Sequence, residues 1–258
     1  MTDPRTQAIE RAFAAAARYD QYAAVQRVVA TNLAASIAAL SLPANPRICE
    51  IGCGTGFLSA ALAARIAGGD WLLTDIAQQM VERCRDRLGP DSRFRFSTGD
   101  SEAPEALAGE PPFDLICSSL TLQWFDDLST GIARLFARLA PGGWLVFTTL
   151  AAGTFAEWRE AHDQLGLRAG TPAYPSLAAL ASIRPEGIVP EVSVERFAPA
   201  NADARSFLRA LKAIGAGTPA PGHAPLPSPV LRRVMREFER NGAVATYEVA
   251  TWSAQRPL

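Results

Sequence analysis

Residues 47–56 read Arg-Ile-Cys-Glu-Ile-Gly-Cys-Gly-Thr-Gly, an apolar strand running into a glycine-dense turn, with a helix-forming segment at 58–66. Glycines at such a turn let a nucleotide-like ligand lie against bare backbone. A second apolar run, 71–74, ends at Asp75. An acid at the carboxyl end of that strand is placed to accept from both hydroxyls of a ribose. A dinucleotide turn needs G-x-G-x-x-G, whose third glycine allows close helix packing below the pyrophosphate. Here Gly52, Gly54 and Gly56 give G-x-G-x-G, and Phe57 stands in the third position. Glu50, just before the turn, suits a cationic ligand better than a pyrophosphate. S-adenosylmethionine has no phosphate and carries a sulfonium, an ammonium and a carboxylate. Glu50, Gly52, Cys53 and Gly54, with Asp75 and Ile76, are therefore assigned to that cofactor. A nicotinamide dinucleotide is the competing reading.

Ligands on open α/β sheets sit outside the carboxyl ends of the strands. Asp100 and Ser101 end a third strand, where a carboxylate can accept from an adenine amino group while the next backbone amide donates to the ring. An aspartate that merely stabilises a turn is the alternative there. Ser118 ends a fourth strand, where a backbone carbonyl can meet the ligand's ammonium. Met80 follows Asp75 on a helix and either packs on the adenine face or belongs to the core.

These residues need a scaffold. Apolar runs at 48–51, 71–74, 93–97, 113–118 and 144–150 alternate with helical segments at 58–66, 78–88 and 128–139. That rhythm predicts a doubly wound, mostly parallel α/β sheet. Two helices, 5–17 and 21–40, precede it. After residue 150 come a helix at 154–167, a glycine- and proline-spotted stretch to 190, and a strand at 191–198. Helices at 202–214 and 229–240 and a last strand at 244–252 follow. One domain is expected: a helical lid over 1–42, the core over 43–150 and 190–258, and a substrate-side insertion over 151–189.

At 258 residues the chain can bury a large core, and 48% hydrophobic with 20% charged residues is ordinary for a globular protein. Formal net charge is −1, which gives no nucleic-acid or membrane footprint. No run is long enough to span a bilayer and no signal peptide is read at the start, so the expected location is the cytoplasm. Cys49, Cys53, Cys84 and Cys117 lack metal spacing, and only His162 and His223 could join them, so no metal site is expected. Basic residues are almost all arginine; Lys212 is the only lysine.

The set Glu50–Gly56, Asp75, Gly99-Asp100-Ser101 and Leu139-Ala140-Pro141-Gly142-Gly143 resembles, in order, the class I S-adenosylmethionine-dependent methyltransferases. The resemblance implies a Rossmann-like seven-stranded sheet with an antiparallel last strand, completed by 191–198 and 244–252. More local strings narrow it: Arg18-Tyr19-Asp20 with Val25-Gln26, Ser119-Leu120-Thr121-Leu122-Gln123-Trp124, the segment 147–159 and the segment 208–216. Together they resemble the malonyl-acyl-carrier-protein O-methyltransferases of biotin synthesis. That resemblance implies methylation of the free carboxylate of a malonyl thioester, the ester then passing as an ordinary primer for chain elongation. It also implies that Tyr19 and Gln26 belong to a lid over the cofactor and that Gln123 and Trp124 line the acceptor pocket. Core packing is the plainer role for Trp124, and packing of the helix pair for Tyr19. The stretch 168–190 departs from the family pattern.

A sulfonium is already an activated leaving group, so transfer needs chiefly proximity and alignment. A carboxylate acceptor is ionised at neutral pH and needs no base. An anionic acceptor wants a cation, and Arg159 is the first candidate for a bidentate grip; a surface arginine covering its helix is the alternative. Arg205, Arg209 and Lys212 fall at i, i+4 and i+7, a basic stripe that suits an acidic carrier protein, with Arg232, Arg233 and Arg236 as further candidates. A solvated helix face is the plain reading of the same stripe. Partners are then a malonyl-acyl-carrier protein, with no nucleic acid and no membrane, and a monomeric chain. Alternatives are a methyltransferase acting on a free small acid or a quinol ring carbon, and a non-enzymatic S-adenosylmethionine-binding adaptor of a carrier protein.

Overall fold

The structure is a computed structural model that describes residues 4–103, 107–220 and 222–258. The acidic, proline-containing loop after the third strand lies partly outside the described residues. Among the described residues the strands are β1 (Arg47–Ile51), β2 (Asp70–Asp75), β3 (Phe94–Thr98), β4 (Phe113–Ser119), β5 (Leu139–Leu150), β6 (Glu191–Phe197) and β7 (Tyr247–Gln255). They form one seven-stranded sheet in the order β3-β2-β1-β4-β5-β7-β6. Strands β1 to β5 pair in parallel and the β5-β7-β6 edge is antiparallel, as the alternation and the resemblance led one to expect. The helices are α1 (Pro4–Ala14), α2 (Tyr19–Tyr22), α3 (Ala24–Ala38), α4 (Phe57–Ala63), α5 (Gln78–Leu88), α6 (Leu128–Ala137), α7 (Ala156–Asp163), α8 (Leu177–Ser182), α9 (Ala204–Ala213) and α10 (Ser228–Arg240).

The chain divides into two compact units. Residues 1–23, 150–177 and 194–250 make the first; residues 24–149, 178–193 and 251–258 make the second. The second unit holds the strand–turn–helix motif. Its central strands are buried on both faces, so β1 and β2 read as continuous apolar runs rather than alternating ones. Trp71 and Trp252 are fully buried, and the Phe147 and Trp252 rings stack at 5.2 Å. Asp127 caps α6 by accepting from Thr130 N–H at 3.0 Å, and Gly89, at φ 71°, ends α5. The core of the first unit is a cluster of aromatic rings, with Trp158 and Phe207 each 5.3 Å from Phe238.

Several boundaries differ from those read in the sequence. The helix expected at 21–40 starts at Ala24, because Ala23 leaves the helical region at ψ 41° while its N–H closes the short α2 onto Tyr19 O. The helix expected at 154–167 starts at Ala156. Phe155 before it is left-handed (φ 57°), its ring held against Phe207 and Tyr247 at 5.3 and 4.8 Å. The last strand begins at Tyr247 rather than 244, since Val244 forms a lone bridge with Ala200 and Thr246 N–H goes to Glu157. The stretch 168–190 contains α8, fixed by a bond from Trp252 Nε1 to Leu180 O at 3.2 Å.

Candidate active site

The glycine turn after β1 takes its shape from three left-handed residues, Gly52, Gly54 and Gly56, at φ 68°, 53° and 84°. A Cβ on Gly52 would fall 2.2 Å from the Thr121 hydroxyl, whereas one on Gly54 would meet nothing within 4 Å. Space above the turn is therefore open at Gly54, where a ligand would lie. Gly56 opens α4, and its missing side chain lets the helix start press on Cys84, whose Sγ would sit 3.0 Å from a Cβ there. Phe57, in the place of the dinucleotide glycine, has the guanidinium groups of Arg27 and Arg87 at 4.9 and 4.5 Å from its ring. That stacked bulk leaves no glycine-like close approach.

Asp75 ends β2 at 8% exposure. Its Oδ2 accepts from Gly54 N–H and its Oδ1 from Ala77 N–H, both at 2.9 Å. Each carboxylate oxygen retains a second acceptor site, the pair of acceptors that two ribose hydroxyls need. Burial raises the Asp75 carboxyl, and the backbone N–H bonds oppose that rise. Glu50 is more extreme. It is 1% exposed and takes a hydrogen bond from Ser59 Oγ at 2.6 Å. Burial pushes its carboxyl well above the ordinary carboxylate range. It underpins the turn from below, and Ser59, a polar residue on the buried face of α4, is the partner that the sequence reading passed over.

Asp100 Oδ1 accepts from Glu102 N–H at 2.9 Å, the geometry of a self-stabilised turn. Ser101 Oγ lies 3.1 Å from Thr74 Oγ1, and Ser118 Oγ donates to Ile51 O at 2.8 Å. Both serine side chains thus brace the strand ends and leave backbone groups for a ligand. Met80 is 1% exposed on α5, as core packing demands; Ile76 and Gln26 are half-buried. Beyond β4, Leu120 is left-handed at φ 53°, and its carbonyl accepts from Gln123 Nε2 at 2.7 Å. Gln123 Oε1 is buried with no hydrogen-bond partner among the described residues. Thr121, which the motif reading did not single out, donates to Gly52 O at 3.3 Å and so ties this loop to the turn. Trp124 is half-buried in the short 3-10 turn that follows.

Gln26, Glu50, the glycine turn, Asp75, Ile76, Met80, Asp100, Ser101, Ser118, Gln123 and Trp124 all belong to the second unit. An open cradle at Gly54, spare acceptor sites on Asp75 and an orphaned acceptor at Gln123 fit a hydroxyl-rich cation such as S-adenosylmethionine. Tyr19, half-buried on α2, and Arg159 belong to the first unit. Arg159 Nη2 donates to Ala152 O at 2.7 Å and Nη1 to Thr154 O. Two donors therefore hold the turn ahead of α7, and only the remaining N–H groups are available to an acceptor. Arg205, Arg209 and Lys212 are exposed on one side of α9, while Phe207 and Ile214 are buried on the other. Among the described residues there is no group of three or more His, Cys, Asp or Glu able to hold a metal ion, and all four cysteines are free and buried.

Comparison with known proteins agrees with this chemistry. Residues 49–145 match the family model of a methyltransferase domain. The chain is 47% identical over 95% of its length to the biotin biosynthesis bifunctional protein BioCD of Bordetella avium, of which it spans about half (51%). It is 38% identical over 92% of its length to the malonyl-[acyl-carrier protein] O-methyltransferase of Magnetococcus marinus, covering 88% of that protein. Among solved structures, the N-methyltransferase NodS of Bradyrhizobium japonicum, in complex with S-adenosyl-L-homocysteine, superposes with a TM-score of 0.54 at 17% identity. That match covers 99% of this chain and 100% of NodS, a likeness of fold. The strand-end carboxylate, the three-glycine turn without a dinucleotide third glycine, and these relatives lead to one assignment: the chain belongs to the malonyl-[acyl-carrier protein] O-methyltransferase family.

Proposed function

We propose that this chain transfers the methyl group of S-adenosylmethionine to the free carboxylate of a malonyl group carried on an acyl carrier protein. The product would be the malonyl methyl ester that primes pimeloyl synthesis for biotin. The observation that carries the reading is the likeness to the Magnetococcus enzyme across nearly all of both chains. S-adenosylmethionine, when bound, supplies a methyl group on a sulfonium, already activated for displacement. The chain's residues then have to bind and align. Asp75 accepts the ribose hydroxyls, the backbone at Asp100–Ser101 meets the adenine edge, and the carbonyls after Ser118 take the ammonium. Gln123 and Trp124 wall the acceptor side, and Gln26 belongs to the lid of the cofactor. The malonyl carboxylate arrives ionised at neutral pH, so no side chain has to remove a proton. Arg205, Arg209 and Lys212 offer a cationic face to an acidic carrier protein. We place the reaction in the cytoplasm and assign the enzyme as a monomer; among the described residues, no helix is long and apolar enough to cross a membrane.

The test is methyl transfer from labelled S-adenosylmethionine to malonyl carrier protein, free malonate and a quinol. Turnover confined to malonyl carrier protein is expected. Equal or greater activity on free malonate or the quinol overturns the acceptor assignment, and tight cofactor binding without turnover on any carboxylate favours the adaptor reading.

A further inference from the structure

Two thiols that methyl transfer does not use meet at the glycine turn. Cys53 stands between Gly52 and Gly54, Cys84 lies within α5, and both belong to the second unit. The Cys53 S–H donates to the Cys84 sulfur. Gly56 touches both residues: its N–H donates to Cys53 O at 2.8 Å, and a Cβ on it would fall 3.0 Å from Cys84 Sγ and 3.3 Å from Cys84 Cα. Cys84 Sγ also lies 3.5 Å from Ser59 Oγ, which reaches Glu50 at 2.6 Å. The hydrogen bond from Cys53 draws the Cys84 thiol below its ordinary value, with help from Ser59 and against the effect of burial. Cys49 and Cys117 are different. They are fully buried in β1 and β4, and burial pushes both thiols up, the condition of an inert structural cysteine.

We propose that Cys53 and Cys84 form an oxidative modification site, at which hydrogen peroxide links the two sulfurs and the resulting disulfide weakens the hold on the cofactor. The Cys84 thiolate attacks one peroxide oxygen, the O–O bond breaks, and the departing oxygen leaves as water with the proton that Cys84 gave up. Cys84 is then a sulfenic acid. Cys53 displaces its hydroxyl, the S–S bond forms, and a second water departs with the Cys53 proton. Two thiols have then lost two electrons and two protons to one peroxide, which is reduced to two waters. The consequence follows from where each sulfur is anchored. A disulfide brings sulfurs to about 2 Å, closer than any hydrogen-bonded contact between them. Cys84 is fully buried in a helix, so the turn has to give way. Cys53 N–H bonds Thr74 O at 2.8 Å, and its neighbour Gly54 bonds Asp75 Oδ2 at 2.9 Å. Moving Cys53 therefore strains the bond between the turn and the acid proposed to bind the ribose. Peroxide enters by the same turn, where Cys53 keeps 4% exposure and Cys84 none. The site concerns the methyl donor alone and is independent of the acceptor.

The full chain, first reduced and then treated with hydrogen peroxide, is digested without reductant for mass spectrometry and titrated with S-adenosylhomocysteine by calorimetry. A peptide pair joined through Cys53 and Cys84 is expected, together with a loss of affinity of about tenfold or more, the scale of one hydrogen bond to a charged group. Dithiothreitol should restore both the free thiols and the affinity. That reversal separates the disulfide from methionine sulfoxide, whose repair needs an enzyme. Cys84→Ala, or Cys84→Ser if the first does not fold, should bind S-adenosylhomocysteine as wild type does before peroxide and keep that affinity after it. A joined pair with unchanged affinity overturns the proposal, as does a loss of affinity that persists in the folded Cys84 variant or that dithiothreitol leaves in place. Oxidised wild type in which Cys53 and Cys84 are never found joined overturns it as well.

Discussion

Asp75 Oδ2 accepts the Gly54 N–H at 2.9 Å, so the acid proposed to bind the ribose also sets the shape of the glycine turn. Replacing Asp75 with Asn turns one acceptor into a donor facing either Gly54 or Ala77. Hydrogen bonds to a charged group contribute about 1.5–3 kcal/mol each, so affinity for S-adenosylhomocysteine is expected to fall about ten- to hundredfold. Calorimetric titration decides. An unchanged dissociation constant in a folded Asp75→Asn protein would mean that the carboxylate serves the turn only.

Gly52 and Gly54 share a left-handed backbone but not a neighbourhood, which separates strain from ligand exclusion. Alanine at Gly54 meets only the backbone penalty, about 1–2 kcal/mol, because nothing lies within 4 Å of its Cβ. Alanine at Gly52 adds a clash with the Thr121 side chain, 2.2 Å away. Denaturant unfolding should therefore rank Gly52→Ala well below Gly54→Ala in stability. Cofactor titration should show Gly54→Ala severely impaired although it is folded, since its methyl group fills the open ligand space. Equal stability of the two variants would contradict the turn geometry described.

Two buried acids give opposite pH signatures. Burial raises Glu50, so the folded protein keeps its proton above 4.5, where the unfolded chain loses it. Its contribution is complete below that value and shrinks as pH rises toward the folded-state pKa. Glu50→Gln cannot titrate, so the thermal midpoint of wild type relative to this variant should drop as pH rises above 4.5. Glu248 behaves in the reverse way. Arg196 Nη2 donates to its Oε1 at 2.7 Å and Gly153 N–H to its Oε2 at 2.7 Å, and the arginine lowers its carboxyl. That stabilisation is present above 4.5 and is lost as pH falls through the folded-state value. Glu248→Gln should lower the midpoint by a few degrees at neutral pH, for a loss of about 1 kcal/mol because Arg196 is largely exposed, and the deficit should close in acid. Parallel pH profiles for wild type and both variants would refute the assignment.

Much of the second unit was legible because its chemistry is local. The spacing of Gly52, Gly54 and Gly56, the apolar runs of β1 and β2, and Asp75 at a strand end are all short-range patterns that the sheet register then obeys. What escaped was long-range. Thr121 meets Gly52 across 69 positions and Glu248 meets Gly153 across 95, pairs that no periodicity signals. The grouping of α9 and α10 with α1 was not readable for the same reason: helix amphipathicity tells which face is buried but not against what. Arg159 is an instructive case. Its place after β5 was readable, but its two bonds to Ala152 O and Thr154 O depend on the left-handed turn at Phe155, which the sequence did not announce.

The exposed stripe of Arg205, Arg209 and Lys212 separates the carrier-protein reading from a merely solvated helix. Exposed ion pairs contribute about 0.5 kcal/mol each, so three with an acidic partner amount to roughly tenfold in encounter affinity. Reversing all three charges to glutamate should raise KM for malonyl carrier protein about tenfold or more while kcat and the affinity for S-adenosylhomocysteine stay fixed. Salt should mimic the substitution. Wild-type KM should climb with ionic strength between about 0.05 and 0.5 M, where the screening length contracts severalfold, and the triple variant should show a much flatter response. A solvated face with no partner predicts the same KM for both proteins at every salt concentration, so steady-state kinetics at two ionic strengths settles which role the stripe has.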